Sequence, residues 1–184
     1  LGLEIEPNNN STNAQPVLLP IALGGSISPA GDEDRFLVEV DKDDFLEFTV
    51  AAVALGSPLD AWLRIEESSG KELVRSDDAN GSRDPSVEWK APASGKFVVT
   101  LGSLVRNPGT NAWYHLSARR ILPDFKATLG VTACTVTAGA TNDLKISVRR
   151  LRGFDHKLSV TARDLPDGVL CDRVDVPEKS GDFI

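Results

Sequence analysis

The sequence predicts an all-β protein of sandwich or jelly-roll type, and three observations carry that reading. Apolar and polar residues alternate with a period of two in run after run, as they do in half-buried strands. Turn dipeptides recur at short intervals, and no segment shows a helical apolar stripe of useful length. Many short strands with such punctuation fit a sandwich or jelly roll.

The strands follow in order. Phe36, Val38 and Val40 alternate with Leu37 and Glu39, and Leu46, Phe48 and Val50 alternate with Glu47 and Thr49. Ala61, Leu63 and Ile65 oppose Trp62, Arg64 and Glu66. Val87 with Trp89, then Phe97, Val99 and Leu101, then Tyr114, Leu116 and Ala118 continue the pattern. Phe36, Val38, Phe48, Leu63, Val99 and Leu116 are the expected core, because period two sends them to one face. Ser69-Gly70, Asn80-Gly81, Ser94-Gly95 and Pro108-Gly109 supply the turns. The one helical candidate is a single turn over residues 11–15, capped by Ser11 or Thr12.

The run Arg119-Arg120-Ile121-Leu122-Pro123-Asp124 closes the first set of strands with a proline suited to a linker. The expected domains are therefore residues 1–120 and 121–184. In the second, Lys126 to Val136, Leu144 to Arg150, Leu158 to Ala162 and Val169 to Val176 read as strands, with turns at Gly139, Gly153 and Gly168. With no methionine and a start at Leu1, the sequence reads as an excerpt of a longer polypeptide, and the second unit is expected to continue past Ile184. Cys134 and Cys171 have no metal-type CxxC spacing. They either pair, adding about 3.8 kcal/mol in the chain-entropy model, or stay as two buried thiols.

At 41% hydrophobic and 26% charged, the 184 residues have the balance of a globular protein. No apolar run approaches the roughly 18 residues a membrane-spanning helix needs. Twenty basic against 27 acidic side chains give a net charge of −7, which excludes nucleic acid as the expected partner. The whole excess lies in residues 1–120, with 11 basic and 18 acidic side chains. Metal cations are the natural complement. Catalysis finds no motif: His115 and His156 have no G-x-S-x-G or H-E-x-x-H companion, and Gly24-Gly25 has no following helix to hold a phosphate.

Oxygen ligands are densest in Glu4-Ile5-Glu6-Pro7-Asn8-Asn9 and in Gly31-Asp32-Glu33-Asp34-Arg35-Phe36. Calcium takes six to eight oxygens from such groups; solvated acidic turns are the other reading of the same residues. A second acidic group, Asp60 with Asp77, Asp78 and Asp84, could gather at one end of a sandwich, although aspartate also serves turns by bonding nearby amides.

Glu6-Pro7-Asn8-Asn9, Gly24 and Gly31 to Phe36, followed by Gly56-Ser57-Pro58-Leu59-Asp60, Asp77-Asp78, Ala91-Pro92, Gly95 and Tyr114-His115-Leu116, make residues 3–120 resemble the bacterial pre-peptidase C-terminal domain. That family is similar to the collagen-binding modules of clostridial collagenases. The resemblance implies a jelly-roll β-sandwich with calcium ligands Glu4, Glu6, Asn8, Asn9, Asp32 and Asp34. Calcium-binding members carry an acid at the place of Asn9, so a neutral amide there implies weaker binding. Residues 124–184 resemble bacterial immunoglobulin-like modules through Thr137-Ala138-Gly139, Val148-Arg149-Arg150, Gly153-Phe154 and Leu165-Pro166-Asp167-Gly168-Val169. At about 60 residues this second, immunoglobulin-like β-sandwich is short of the roughly 100 such a fold takes, hence truncated.

Trp62 alternates out of phase with Leu63 and Ile65, and Trp113 precedes the inward Tyr114, so both are expected on outer faces, either packed under a loop or against the neighbouring domain or serving as ligand-binding platforms, whereas Trp89 shares the core face of Val87. Together these features read as a non-catalytic accessory module of a secreted or cell-surface bacterial protein, stabilised by calcium. It would bind or position on an extracellular polysaccharide or protein, with other domains of the same polypeptide as neighbours. The alternative is a structural spacer with no ligand of its own.

Overall fold

Alternation does build the strands, and their pairing shows where the sequence pattern was hidden. The computed structural model describes residues 2–109 and 111–183. Leu1, Thr110 and Ile184 lie outside the described residues, and with them the chain-end positions that bound the two expected domains. The chain divides into two compact units, Leu1–Ile121 and Leu122–Ile184.

The first unit contains β1 (Gly2–Leu3), β2 (Gln15–Val17), β3 (Ile21–Ser26), β4 (Glu33–Val40), β5 (Phe45–Ala51), β6 (Ala61–Glu67), β7 (Glu72–Ser76), β8 (Ser86–Lys90), β9 (Gly95–Ser103) and β10 (Trp113–Arg120). They form two five-stranded sheets, ordered β1-β3-β10-β5-β8 and β2-β4-β9-β6-β7. Pairing is antiparallel except that β1 runs parallel to β3 and β2 parallel to β4. Phe36, Val38, Phe48, Leu63, Val99 and Leu116 are all fully buried between the sheets, as their phase predicts. Trp89 packs edge-on against Phe97 with ring centroids 4.9 Å apart.

Four of these strands carry no readable alternation. In β3 the apolar pair Ile21 and Leu23 runs into Gly24-Gly25, which erases the pattern, while β1, β2 and β7 lie at sheet edges. The helical turn expected over residues 11–15 is not formed. Asn10 Oδ1 instead accepts from the amides of Thr12 at 3.0 Å and Asn13 at 3.2 Å, an Asx-type turn that competes with helix, and β2 begins at Gln15.

A 3-10 turn at Val53–Leu55 explains the fate of the second acidic group. The Asp84 carboxylate accepts from the amides of Ala52 at 3.0 Å, Val53 at 2.8 Å and Ala54 at 2.9 Å, so its oxygens are committed to backbone. Asp77 and Asp78 stay exposed in a turn. Among the described residues Asp60, Asp77, Asp78 and Asp84 do not assemble into a metal-type cluster.

The second unit contains β11 (Asp124–Leu129), β12 (Ile146–Leu151), β13 (Leu158–Val160), β14 (Val174–Val176) and β15 (Gly181–Phe183). They form a three-stranded sheet, β11-β12-β15, and a ribbon, β13-β14. The strands are shorter than the sequence suggests, since β11 stops before Gly130 and β14 starts only at Val174. Cys134 and Cys171 therefore lie outside strands, and both are exposed free thiols, neither paired nor buried as the two sequence readings had them. Among the described residues, no helix is long and apolar enough to cross a membrane.

Candidate functional site

Pairing of β3 with β10 sets Gly25 opposite Tyr114, and pairing of β4 with β9 places Asp34 on the core-facing side of its sheet, in phase with Phe36 and Val38. The chain segment after β1 then crosses this end of the sandwich. Its path is fixed by backbone and side-chain bonds: Glu4 N–H donates to Gly24 O at 2.9 Å, and Glu4 Oε1 accepts from the Ser26 amide at 2.8 Å. The Tyr114 hydroxyl lies 2.9 Å from Glu4 Oε2 and 2.6 Å from Asp34 Oδ2. It has one proton for two carboxylates. A side chain at Gly25 would overlap both Glu4 Oε2 and the Tyr114 hydroxyl, so this approach requires glycine.

Beside this bridge, one carboxylate oxygen each from Glu6, Asp32 and Asp34 lies within 4.8 Å of the others. Asp32 Oδ2 accepts from the Ser28 amide at 3.0 Å, and Asp32 Oδ1 accepts from Asn9 Nδ2. Glu6 Oε2 accepts from the Asn8 amide at 2.8 Å. Asp34 is fully buried, yet among the described residues its Oδ1 has no hydrogen-bond partner. Asn8 is also fully buried, with both side-chain polar atoms unpartnered. Orphaned buried polar atoms are costly and normally satisfied; two of these three, Asp34 Oδ1 and Asn8 Oδ1, are oxygens of the kind a hard cation takes.

The electrostatics agree with that demand. Burial, reinforced by the charge of Glu4 and opposed by the Tyr114 hydrogen bond, pushes the Asp34 carboxyl up to about 9. Burial and the charge of Glu6 also raise Asp32, while the Ser28 amide works against them. The Tyr114 hydroxyl is raised by burial and then by the charges of Asp34 and Glu4, so it remains a donor. Without a cation, the site must hold a proton on Asp34 to persist at neutral pH.

The six residues implied by the resemblance thus separate by what their atoms do. Glu6, Asp32 and Asp34 form the cluster, and Asn8 lies buried with a free amide. Glu4 joins through Tyr114, its other oxygen taken by Ser26. Asn9 spends its amide on Asp32, and its Oδ1 accepts from the Asn8 amide at 3.1 Å; it holds a ligand in place. Tyr114, Ser26, Ser28 and Gly25 escaped the sequence reading. Tyr114 carried a usable signal, because an inward-facing tyrosine needs a partner for its hydroxyl.

Of the two tryptophans, Trp62 does lie on the outer face but not as an open platform. It is only 6% exposed, pressed onto Gly102 of β9 and flanked by the guanidinium groups of Arg64 and Arg75 at 4.9 and 4.6 Å from its ring. Cation–π attraction covers the indole that alternation alone leaves outside. Trp113 is 40% exposed. His115 lies in β10, and His156 stacks edge-on to Phe154 at 5.4 Å.

No family model matches the chain. A probable subtilase-type serine protease of Deinococcus radiodurans is 32% identical over 101 residues, which are 53% of this chain and 14% of that protein's length. The pre-peptidase C-terminal domain of collagenase from Bacillus anthracis is similar in structure, with a TM-score of 0.47 and 16% identity, covering 58% of this chain and 94% of that one. PliG of Aeromonas hydrophila, a periplasmic inhibitor of g-type lysozyme, gives 0.44 and 12%, covering 59% and 97%.

Proposed function

We propose that this chain is a non-catalytic accessory part of a secreted or cell-surface bacterial protein, whose first unit is braced by calcium and positions its parent on an extracellular polysaccharide or protein. The observation that carries the calcium reading is the buried Asp34 carboxylate, with one oxygen unpartnered, set within 4.8 Å of Glu6 and Asp32 oxygens. Glu6, Asp32 and Asp34 would hold the ion, and the Asn8 amide oxygen is a fourth donor of the right hardness. A divalent cation supplies the positive charge that lets these carboxylates ionise together. It also ties residues 4–9 to the start of β4, securing a chain segment that would otherwise fray.

The accessory role draws support from the protease of Deinococcus radiodurans, since the matched stretch is a small part of that protein. A spacer without a ligand is the competing reading, favoured by the burial of Trp62. Thermal melts after thorough chelation test the calcium brace. Calcium at a hundred times its dissociation constant should stabilise the first unit by about 2.7 kcal/mol, and magnesium much less, because it demands tighter octahedral geometry. An unmoved melting curve would rule out the calcium brace.

A further inference from the structure

We infer that the outer face of the β1-β3-β10-β5-β8 sheet, at its Trp113 end, is a binding surface for a neutral polysaccharide chain. This rests on the accessory-module reading and names its ligand class. Tyr114, Leu116 and Ala118 point into the core, so Trp113, His115 and Ser117 alternate outward. Paired residues share a face, and the register therefore lays out three rows. Trp113 lies beside Ser26; Leu3, Gly24, His115 and Ala51 form the next row; Ala22, Ser117, Thr49 and Ser86 form the third. None of these residues is acidic or basic apart from His115. Charge borders these rows at both ends: the Glu4 carboxylate, already engaged by Ser26 and Tyr114, lies at the Trp113 end, and Arg119 pairs with Glu47 at 2.7 Å in the row after Ser117.

The relief of this face is as informative as its chemistry. A Cβ placed on Gly24 would meet only Leu3 Cδ2 and the Tyr114 carbonyl, each at 3.8 Å. Gly24 thus leaves a gap in this face, between Leu3 (72% exposed) on one side and His115 of β10 on the other, with Trp113 one row along. An exposed indole near that gap suits the flat C–H face of a pyranose ring, and imidazole and hydroxyl groups around it can meet sugar hydroxyls. The Thr49 and Ser117 hydroxyls, 2.6 Å apart, extend that polar rim. A polyanion finds no countercharge here, and the chain's net charge of −7 opposes its approach.

The test is adsorption of the intact chain to microcrystalline cellulose, chitin and starch granules, with gelatin as the polypeptide arm. Wild-type protein should adsorb to at least one of the three glycans, and raised salt should not release it, because no charge pairing is involved. Trp113→Ala should weaken that adsorption by at least about tenfold, equivalent to ~1.4 kcal/mol. Gly24→Val, which fills the gap without entering the core, should do the same with an unchanged melting temperature. Failure to adsorb to every glycan, or adsorption indifferent to both substitutions, overturns the inference. Retention on gelatin that Trp113→Ala abolishes also overturns it, by assigning the face to a polypeptide, while leaving the accessory-module reading intact; no retention on any matrix removes both.

Discussion

Replacing Asp34 with asparagine should stabilise the metal-free protein while removing its response to calcium. The wild-type carboxyl titrates near 9 in the fold against an ordinary 3.8. Its folded-state value is raised, so the fold favours the protonated form: the associated stability is complete below about pH 4 and drains away as pH climbs toward 9. At pH 7, keeping the proton on costs about 4 kcal/mol relative to a neutral group of the same shape, at ~1.36 kcal/mol per unit. Asparagine is such a group. Its oxygen can accept from the Tyr114 hydroxyl as Asp34 Oδ2 does, and its amide can face the Glu4 carboxylate. In a chelator at pH 7, Asp34→Asn should therefore raise the midpoint of the first unit by roughly 10 °C or more, taking about 4 °C per kcal/mol for a unit of this size. The wild-type midpoint should fall between pH 5 and pH 8 and the variant's should not. With calcium the order narrows, since only the wild type gains. A variant that melts at or below the wild type in chelator, or a wild-type midpoint flat across that pH range, would refute this account of the cluster.

Tyr114→Phe removes the proton shared by Glu4 and Asp34 and should cost about 1–3 kcal/mol, read from denaturant midpoints at constant slope. Gly25→Ala drives a methyl group into Glu4 and Tyr114; it should destabilise the first unit by ~3 kcal/mol or more and expose residues 4–9 to limited proteolysis. Asp84→Ala strips three amides of their acceptor and should cost about 2 kcal/mol, whereas Asp78→Asn should leave both stability and the calcium response intact. Thiol titration of native protein without reductant should count two reactive cysteines, as both are exposed and free; a count of zero would place a bond between Cys134 and Cys171.

The core was legible because alternation is a one-dimensional signal. Residues such as Phe48 and Leu116 reveal their face by their neighbours alone. The edge strands β1 and β2 were not, because they are too short for a period to show, and β3 was hidden because Gly25 stands where its next apolar core residue would. At the candidate site, the acids were visible as composition but their division of labour was not. Whether Glu4 meets Tyr114 or a cation depends on a β3–β10 register that no local pattern encodes. For Trp62 the phase was legible but the cover was not, because Arg75 on the adjacent strand supplies part of it. In the second unit, alternation continued past Gly130 on paper while pairing stopped at Leu129.

Equilibrium calcium binding by flow dialysis on thoroughly chelated protein tests the central claim most directly. The geometry of Glu6, Asp32 and Asp34 predicts one calcium ion per chain, lost in Asp34→Asn and retained in Asp78→Asn. Protein that takes up no calcium at millimolar concentration, or takes it up equally well after Asp34→Asn, would contradict it.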